Sequence, residues 1–310
     1  MFYAHLGKEL LILAVHVNDC TMTGSCTKLI LEYKAKLNSH YPLTDLGPVH
    51  WLLGIKVTHN ISAGTISLSQ STYIDSIISC FALADAKPHN TPMIPSTSYS
   101  KDDSPSSQQD AACMRKVPYC KAVGSLMYTS IATCPDITFA VSTLSQFLEN
   151  LGEVHWEAVK CIFQYLSGTQ HYALTYGGER HDLVGYMDAD GALQDHCQAI
   201  SGHAFLFDGS VISWSSCKQE LVTLSTAEAE YFAVMHAAKE CIWLCHLIGE
   251  LSPSPLSTTT LYCNNQAPLK LATDNNYHMQ TKHIDIHFHF IHQVVASRAM
   301  DICYCPTDNM

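Results

Sequence analysis

The chain has 310 residues, 47% of them hydrophobic, which is enough to bury the cores of two domains and too apolar for a disordered polypeptide. Its formal charge of -11 argues against a strong phosphate-binding surface, since such a surface needs lysine and arginine to displace counterions. The 14 cysteines come without a secretory leader or paired C-x-x-C ligands, which disfavours a disulfide framework or a zinc ribbon and points to reduced thiols.

In chain order, Leu10 to Val17 is a buried-strand candidate, too short to span a membrane, and the expected location is intracellular, in cytoplasm or nucleus. Asn18-Asp19 reads as a turn pair before a second strand, Cys20 to Thr23. Cys26 to Leu37 has the pattern of a surface helix. Val49 to Val57 and Thr65 to Ser69 read as a hairpin around Ser62-Ala-Gly64, followed by a helix over Ser71 to Phe81. From 88 to 118 the chain turns to Ser, Pro, Asp, Asn and Gln, the composition of a linker. Three short helices are expected next, Ala122 to Ile131, Pro135 to Leu148 and Val154 to Leu166, the second opened by Pro135 and the third closed by Gly168. Trp156, Val159, Phe163 and Leu166 share one face of the third.

After the punctuation at Tyr176-Gly-Gly-Glu-Arg180, strands are expected at Leu183 to Asp190, His203 to Asp208 and Val211 to Ser215, and another from Thr260 that ends in the polar pair Asn264-Asn265. Between them, residues 224 to 244 read as a capped amphipathic helix. Ser225 and Thr226 are N-cap candidates, and Tyr231, Met235, Ala238 and Ile242 recur at helical spacing. Glu228, three residues before Tyr231, is expected to head the apolar face, with Glu230 rotated further round.

A strand-end aspartate, a glutamate on a later helix and a second strand-end polar position follow the order in which ribonuclease H folds gather carboxylates around magnesium. The stretches DAD (188–190), ISWSS (212–216), EAEY (228–231), NNQAPLKLA (264–272) and TKHIDI (281–286) resemble the ribonuclease H domain of copia-type retrotransposon polyproteins. So do LLILAVHVNDCTMTG (10–24), LGIKV (53–57), ISLSQSTY (66–73), AVGSLMY (122–128), PDITFAVSTLSQF (135–147) and HWEAVK (155–160) upstream. The resemblance runs in unbroken order over nearly the whole chain. It implies an α/β architecture: a partial reverse transcriptase palm with a helical thumb or connection, then a ribonuclease H-like mixed sheet with helices. The implied division is 1–87 palm and start of thumb, 88–118 linker, 119–175 helical connection, and 176–310 ribonuclease H-like domain, cut short at its C-terminus.

The implied activities are RNA-directed DNA synthesis and cleavage of RNA in RNA-DNA hybrids, with Mg2+ as cofactor and an RNA-DNA hybrid or template-primer as partner; no membrane is implied. A partner chain supplying the missing palm is left open. In the family the first hairpin carries two aspartates; here Asn18 takes the first position and Asp19 the second, and an amide lacks the charge that magnesium prefers. For the ribonuclease H site the resemblance implies Asp188, or Asp190, as the first strand carboxylate and Glu228, or Glu230, as the helix carboxylate. Asn264 stands where the family has aspartate. The last family aspartate would lie beyond Met310, and Asp285 is a structural residue or a substitute for it. Both catalytic activities are therefore expected to be impaired.

Arginine is scarce: Arg115, Arg180 and Arg298 complete the set. Positions where the family has arginine hold Cys120, Cys134, Cys161, Gln164, Cys245, Gln280, His287 and His292, all reachable from CG codons by a single C-to-T change on one strand or the other. The excess of Cys and His is then mutational decay, and aligning the gene with intact copies tests this. The rival reading is a Cys/His metal site, from His283, His287, His289 and His292 or from Cys241, Cys245, Cys303 and Cys305. A non-enzymatic nucleic-acid binder is a further alternative, resting on scattered lysines such as Lys34, Lys36 and Lys218.

Overall fold

The computed structural model describes the chain except residues 95, 96, 98, 178–181, 191–197, 224, 253–255, 267, 268, 270–281 and 310, and except the side chains of 282–288 and 309. Strands β1 (Phe2–Leu6), β2 (Glu9–His16) and β3 (Asp19–Gly24) form an antiparallel sheet in that order. His16 pairs with Asp19, so the turn is Val17-Asn18 and Asp19 opens β3, one residue away from the expected turn pair. Val17 takes φ +52°, a left-handed conformation that costs a β-branched residue about 1–2 kcal/mol. Helix α1 (Thr27–His40) lies beside this sheet and buries none of its side chains.

The stretch expected as one strand, Val49 to Val57, is instead a tight hairpin of β4 (Trp51–Leu52) and β5 (Ile55–Asn60). Leu53 at φ +51° and Gly54 at φ +75° make the turn, and the Tyr128 hydroxyl donates to the Leu53 carbonyl. Strand β6 (Thr65–Ser69) pairs with β5 and also with β7 (Leu174–Tyr176), which arrives from the far side of the helical region.

Helix α2 (Ser71–Cys80) packs with α4 (Tyr119–Ala132), α5 (Thr138–Ser145) and α6 (Glu153–Thr169). Their shared core includes Ile77, Leu126, Ile137, Leu144, Val159 and Phe163. Pro135 to Ile137 form a separate 3-10 turn, and α6 continues through Gly168. As the spacing predicts, Val159, Phe163 and Leu166 are buried and Trp156 packs against them. The buried Tyr119 hydroxyl donates to the Leu144 carbonyl at 2.8 Å, which satisfies it inside the core. The polar stretch is not featureless: α3 (Gln108–Met114) lies within it, capped by Ser107, whose Oγ accepts from the Asp110 N–H.

The last region is a five-stranded mixed sheet of β8 (Val184–Asp190), β9 (Ile200–Phe207), β10 (Ser210–Lys218), β11 (Thr259–Cys263) and β12 (Met300–Tyr304). Its order is β10-β9-β8-β11-β12, with the first three antiparallel and β8, β11 and β12 parallel. Three meandering strands extended by parallel crossover strands make the ribonuclease H-like arrangement expected above. Asp208 and Gly209, at φ +50° and +86°, form the two-residue turn between β9 and β10. Helix α7 (Thr226–Leu251) covers β8 and β9, and α8 (Lys282–Ala296) lies against α7. Gly185 is required beneath it, because a Cβ there would meet Phe205 Cε1 at 2.5 Å and Leu261 Cδ1 at 2.8 Å. Trp214 Nε1 donates to the Ser130 carbonyl at 2.8 Å, joining this sheet to α4. No helix among the described residues is long and apolar enough to cross a membrane.

Candidate active site

The end of β8, the first turns of α7 and the loop after β11 converge. Asp188 is exposed on β8, its Oδ1 accepting from the Ala189 N–H at 2.9 Å. On α7, Ser225 is the N-cap and Glu228 the third helical residue, its N–H donating to Ser225 Oγ at 3.2 Å. That is one half of a capping box, and it gives Glu228 a place at the helix end. The carboxyl that faces Asp188 is that of Glu230, only 7% exposed. The apolar-face argument thus comes out reversed for this pair. From Ala229 to Met235 every side chain of α7 is buried, so a 3.6-residue period does not distinguish one face there.

Burial, and then the negative charge of Asp188, push the Glu230 carboxyl up to about 7, partly offset by a hydrogen bond with the Asn265 side chain. Among the described residues, Glu230 Oε2 is buried without a hydrogen-bond partner. Beside it lies the fully buried Cys263, which accepts from the Asn265 N–H at 3.3 Å. Burial and the charges of Glu230 and Asp188 push its thiol up to about 11, against the lowering effect of that hydrogen bond. Asn264 occupies the bend directly after β11, half-buried. Gln219 ties the elements together: its Nε2 donates to Ser201 Oγ on β9 and to the Ala229 carbonyl, both at 2.8 Å. Sequence reasoning missed Cys263, Asn265 and Gln219. The S-x-x-E spacing of Ser225 and Glu228 was the available signal for where α7 begins, with Glu230 in its second turn.

Asp190 is exposed at the end of β8. The other predicted position is remote in chain and character, with Asn18 in an exposed turn and Asp19 exposed at the start of β3. Among the described residues no group of three or more His, Cys, Asp or Glu is placed to hold a metal ion. The side chains of His283, Asp285 and His287 lie outside the described residues. Cys241 is buried, and Cys245 Sγ sits 3.3 Å from Thr259 Oγ1, both part of the packing of α7 on the sheet. The Cys305 N–H continues the β11–β12 ladder to the Cys263 carbonyl at 2.9 Å. The described cysteines are all free thiols. Lys34 and Lys36 are ion-paired with Asp45 and Glu32 at 2.8 and 2.7 Å, which subtracts from any basic surface near α1.

Residues 1–95 match the reverse transcriptase (RNA-dependent DNA polymerase) family. The retrovirus-related Pol polyprotein from transposon TNT 1-94 of Nicotiana tabacum is 39% identical over 96% of this chain and 22% of its own length. A transposon Ty5-1 protein of Saccharomyces cerevisiae is 30% identical over 74% of this chain and 73% of its own length. Among solved structures, a foamy viral protease-reverse transcriptase in complex with dsDNA covers 95% of this chain and 55% of that one, at 13% identity and a TM-score of 0.47. The chain spans about a fifth of the length of the Pol polyproteins that it matches. With 73% of a related transposon protein covered at 30% identity, and a reverse transcriptase match over residues 1–95, this chain belongs to the copia-type retrotransposon Pol polyproteins, and its first part to their reverse transcriptase.

Proposed function

We propose that the region 176–310 is a ribonuclease H-like unit directed at RNA-DNA hybrids, and that its hydrolytic activity is impaired in this chain. The observation carrying this reading is the site's charge arrangement. Asp188 and Glu230 converge, Glu230 keeps a buried oxygen without a partner among the described residues, and the position after β11 that would add a third anionic donor is Asn264. Glu228 serves the helix cap in this reading.

Reverse transcriptases and ribonucleases H use Mg2+ as a class. The residues here fit one hard cation in part: Asp188 and Glu230 supply anionic oxygens and Asn264 a neutral amide carbonyl. When bound, the ion would polarise the scissile phosphate and its attacking water. The chain's own residues do the positioning. Gln219 fixes the start of α7 against β9 and so sets where Glu230 meets Asp188. Asn265 holds the Glu230 carboxyl through its amide. With two carboxylates in place of three, the developing charge is matched less well, which lowers both cation affinity and rate.

For residues 1–87 the same argument gives a palm remnant in which Asn18 and Asp19 form an exposed, half-neutral pair, and we assign it no polymerisation. The test is hydrolysis of a labelled RNA-DNA hybrid by the full chain, with magnesium and then manganese, beside Asn264→Asp. Cleavage by the variant alone, abolished again by adding Glu230→Ala, is the expected result. Cleavage by the unaltered chain at a similar rate would refute the impairment, and circular dichroism of both proteins separates a folding failure from a chemical one.

A further inference from the structure

Away from that site, α2 ends at Cys80, and Lys121 stands in the first turn of α4, on the other side of the polar stretch in the sequence. Lys121 Nζ lies 3.2 Å from Cys80 Sγ, with both side chains exposed. The same ammonium sits 5.9 Å from the centroid of the Phe81 ring, which restrains where it hovers. The two helices that carry the pair are held by buried neighbours: Ile77 and Ile78 on α2, Ala122 and Val123 on α4. The sulfur and nitrogen are therefore kept near each other by packed elements, and both are reachable from solvent.

We infer that Cys80 and Lys121 are an oxidation-dependent covalent clip: on exposure to a peroxide they form a sulfur-nitrogen bond that joins α2 to α4. In the first step the Cys80 thiolate attacks hydrogen peroxide. The S–O bond forms, the O–O bond breaks and one oxygen leaves as hydroxide, which takes up the proton the thiol released and becomes water, so sulfur is oxidised by two electrons to the sulfenic acid and the peroxide is reduced. In the second step the Lys121 amine, its ammonium proton passed to solvent, attacks that sulfur. The S–N bond forms, the S–O bond breaks, and a second water departs with a proton from the nitrogen. The balance is one thiol, one amine and one peroxide giving one sulfenamide and two waters. A thiol reductant attacks the sulfur and reverses it. The link closes a loop of 41 residues around the polar stretch, which removes freedom from the unfolded chain and raises the melting temperature of the oxidised protein.

The experiment treats the full chain with hydrogen peroxide, digests it with trypsin and maps the products by mass spectrometry, beside Cys80→Ser and Lys121→Arg. The expected product is a linked pair of peptides through Cys80 and Lys121, lighter than their sum by two hydrogens, uncut after Lys121 and separated by reductant. Both variants should lack it. In Lys121→Arg, trapping of the Cys80 sulfenic acid by a dimedone probe should rise several-fold, because the amine no longer consumes it. Cys20, Cys113 and Cys120, equally exposed, serve as internal references that should not gain a lysine link. Recovery of Cys80 in the unaltered chain as a sulfinic acid or a disulfide, or equal dimedone trapping in the unaltered chain and Lys121→Arg, would overturn the inference. Circular dichroism and the reductant-reversible melting shift confirm that the comparison is made on folded protein.

Discussion

The sheet under α7 and the sheet beside α1 are written in similar residues and hold together differently. Strand β2, Glu9–His16, is as apolar as any strand of the five-stranded sheet, yet among residues 1–40 Leu11 is the one buried side chain. Helix α7 by contrast buries eleven of its own, and Phe205, Leu261 and Met187 beneath it are at 0–1% exposure. Alternating apolar residues specify a strand; a covering layer is what turns that strand into a core. Phe2, Leu6, Val15 and Leu31 stay exposed, so the first region rests mainly on backbone pairing and the second on packing.

The sharpest probe is Phe205→Ala. Removing this ring from beneath α7 should cost about 3–5 kcal/mol, read from urea unfolding followed by Trp214 fluorescence. Hydrogen exchange in β1–β3 should be unchanged; loss of protection there as well would mean that the two sheets unfold as one unit. Next comes Glu230→Gln. The folded-state pKa of Glu230, about 7, lies above its ordinary 4.5, so the fold favours the neutral acid. That contribution is full below about pH 4.5 and is lost as pH rises through 7, so the unaltered protein should weaken across this window. Glutamine cannot ionise, and the variant should gain about 2–3 kcal/mol at pH 8 and lose the slope. A pH-stability profile that keeps its slope in the variant would assign it elsewhere.

Leu11→Ala should cost about 2 kcal/mol, at the bottom of the range for buried leucines, because its surroundings are open enough to readjust. A cost as large as that of Phe205→Ala would erase the contrast between the sheets. The smallest effect is expected for Val17→Gly: relief of the left-handed strain, offset by the entropy glycine loses on folding, leaves a net gain of about 0.5 kcal/mol in thermal unfolding.

Much of this architecture is legible in the residues. The run ending at Asp188 and Asp190, the Asp208-Gly209 turn and the helix begun by Ser225 each combine a hydrophobic period with the residue that stops it. β1 and β12 escape because five-residue strands with a charged or histidine position carry too little pattern. The β4–β5 turn escapes because Leu53 adopts a backbone conformation that its side chain does not advertise. At the site, Asp188 is readable as a strand end. The pairing of Glu230 with it depends on how α7 lies across β8, where it shares a core with Phe205 and Leu261. Cys263 and Asn265 enter the site only once β11 is laid parallel to β8.

The pairing of β6 with β7 has a consequence in time. Ser67 and Thr175, whose hydroxyls meet at 2.9 Å, are 108 residues apart. At about 5–20 residues per second, a ribosome takes roughly 5–20 s to deliver the second after the first. Throughout that interval the nascent β5–β6 hairpin presents an open hydrogen-bonding edge, and an identical hairpin on a neighbouring polysome presents the same one. The order of translation, which places helices α2 to α6 between the two strands, makes this edge the point at which copies of the chain meet each other before they finish folding.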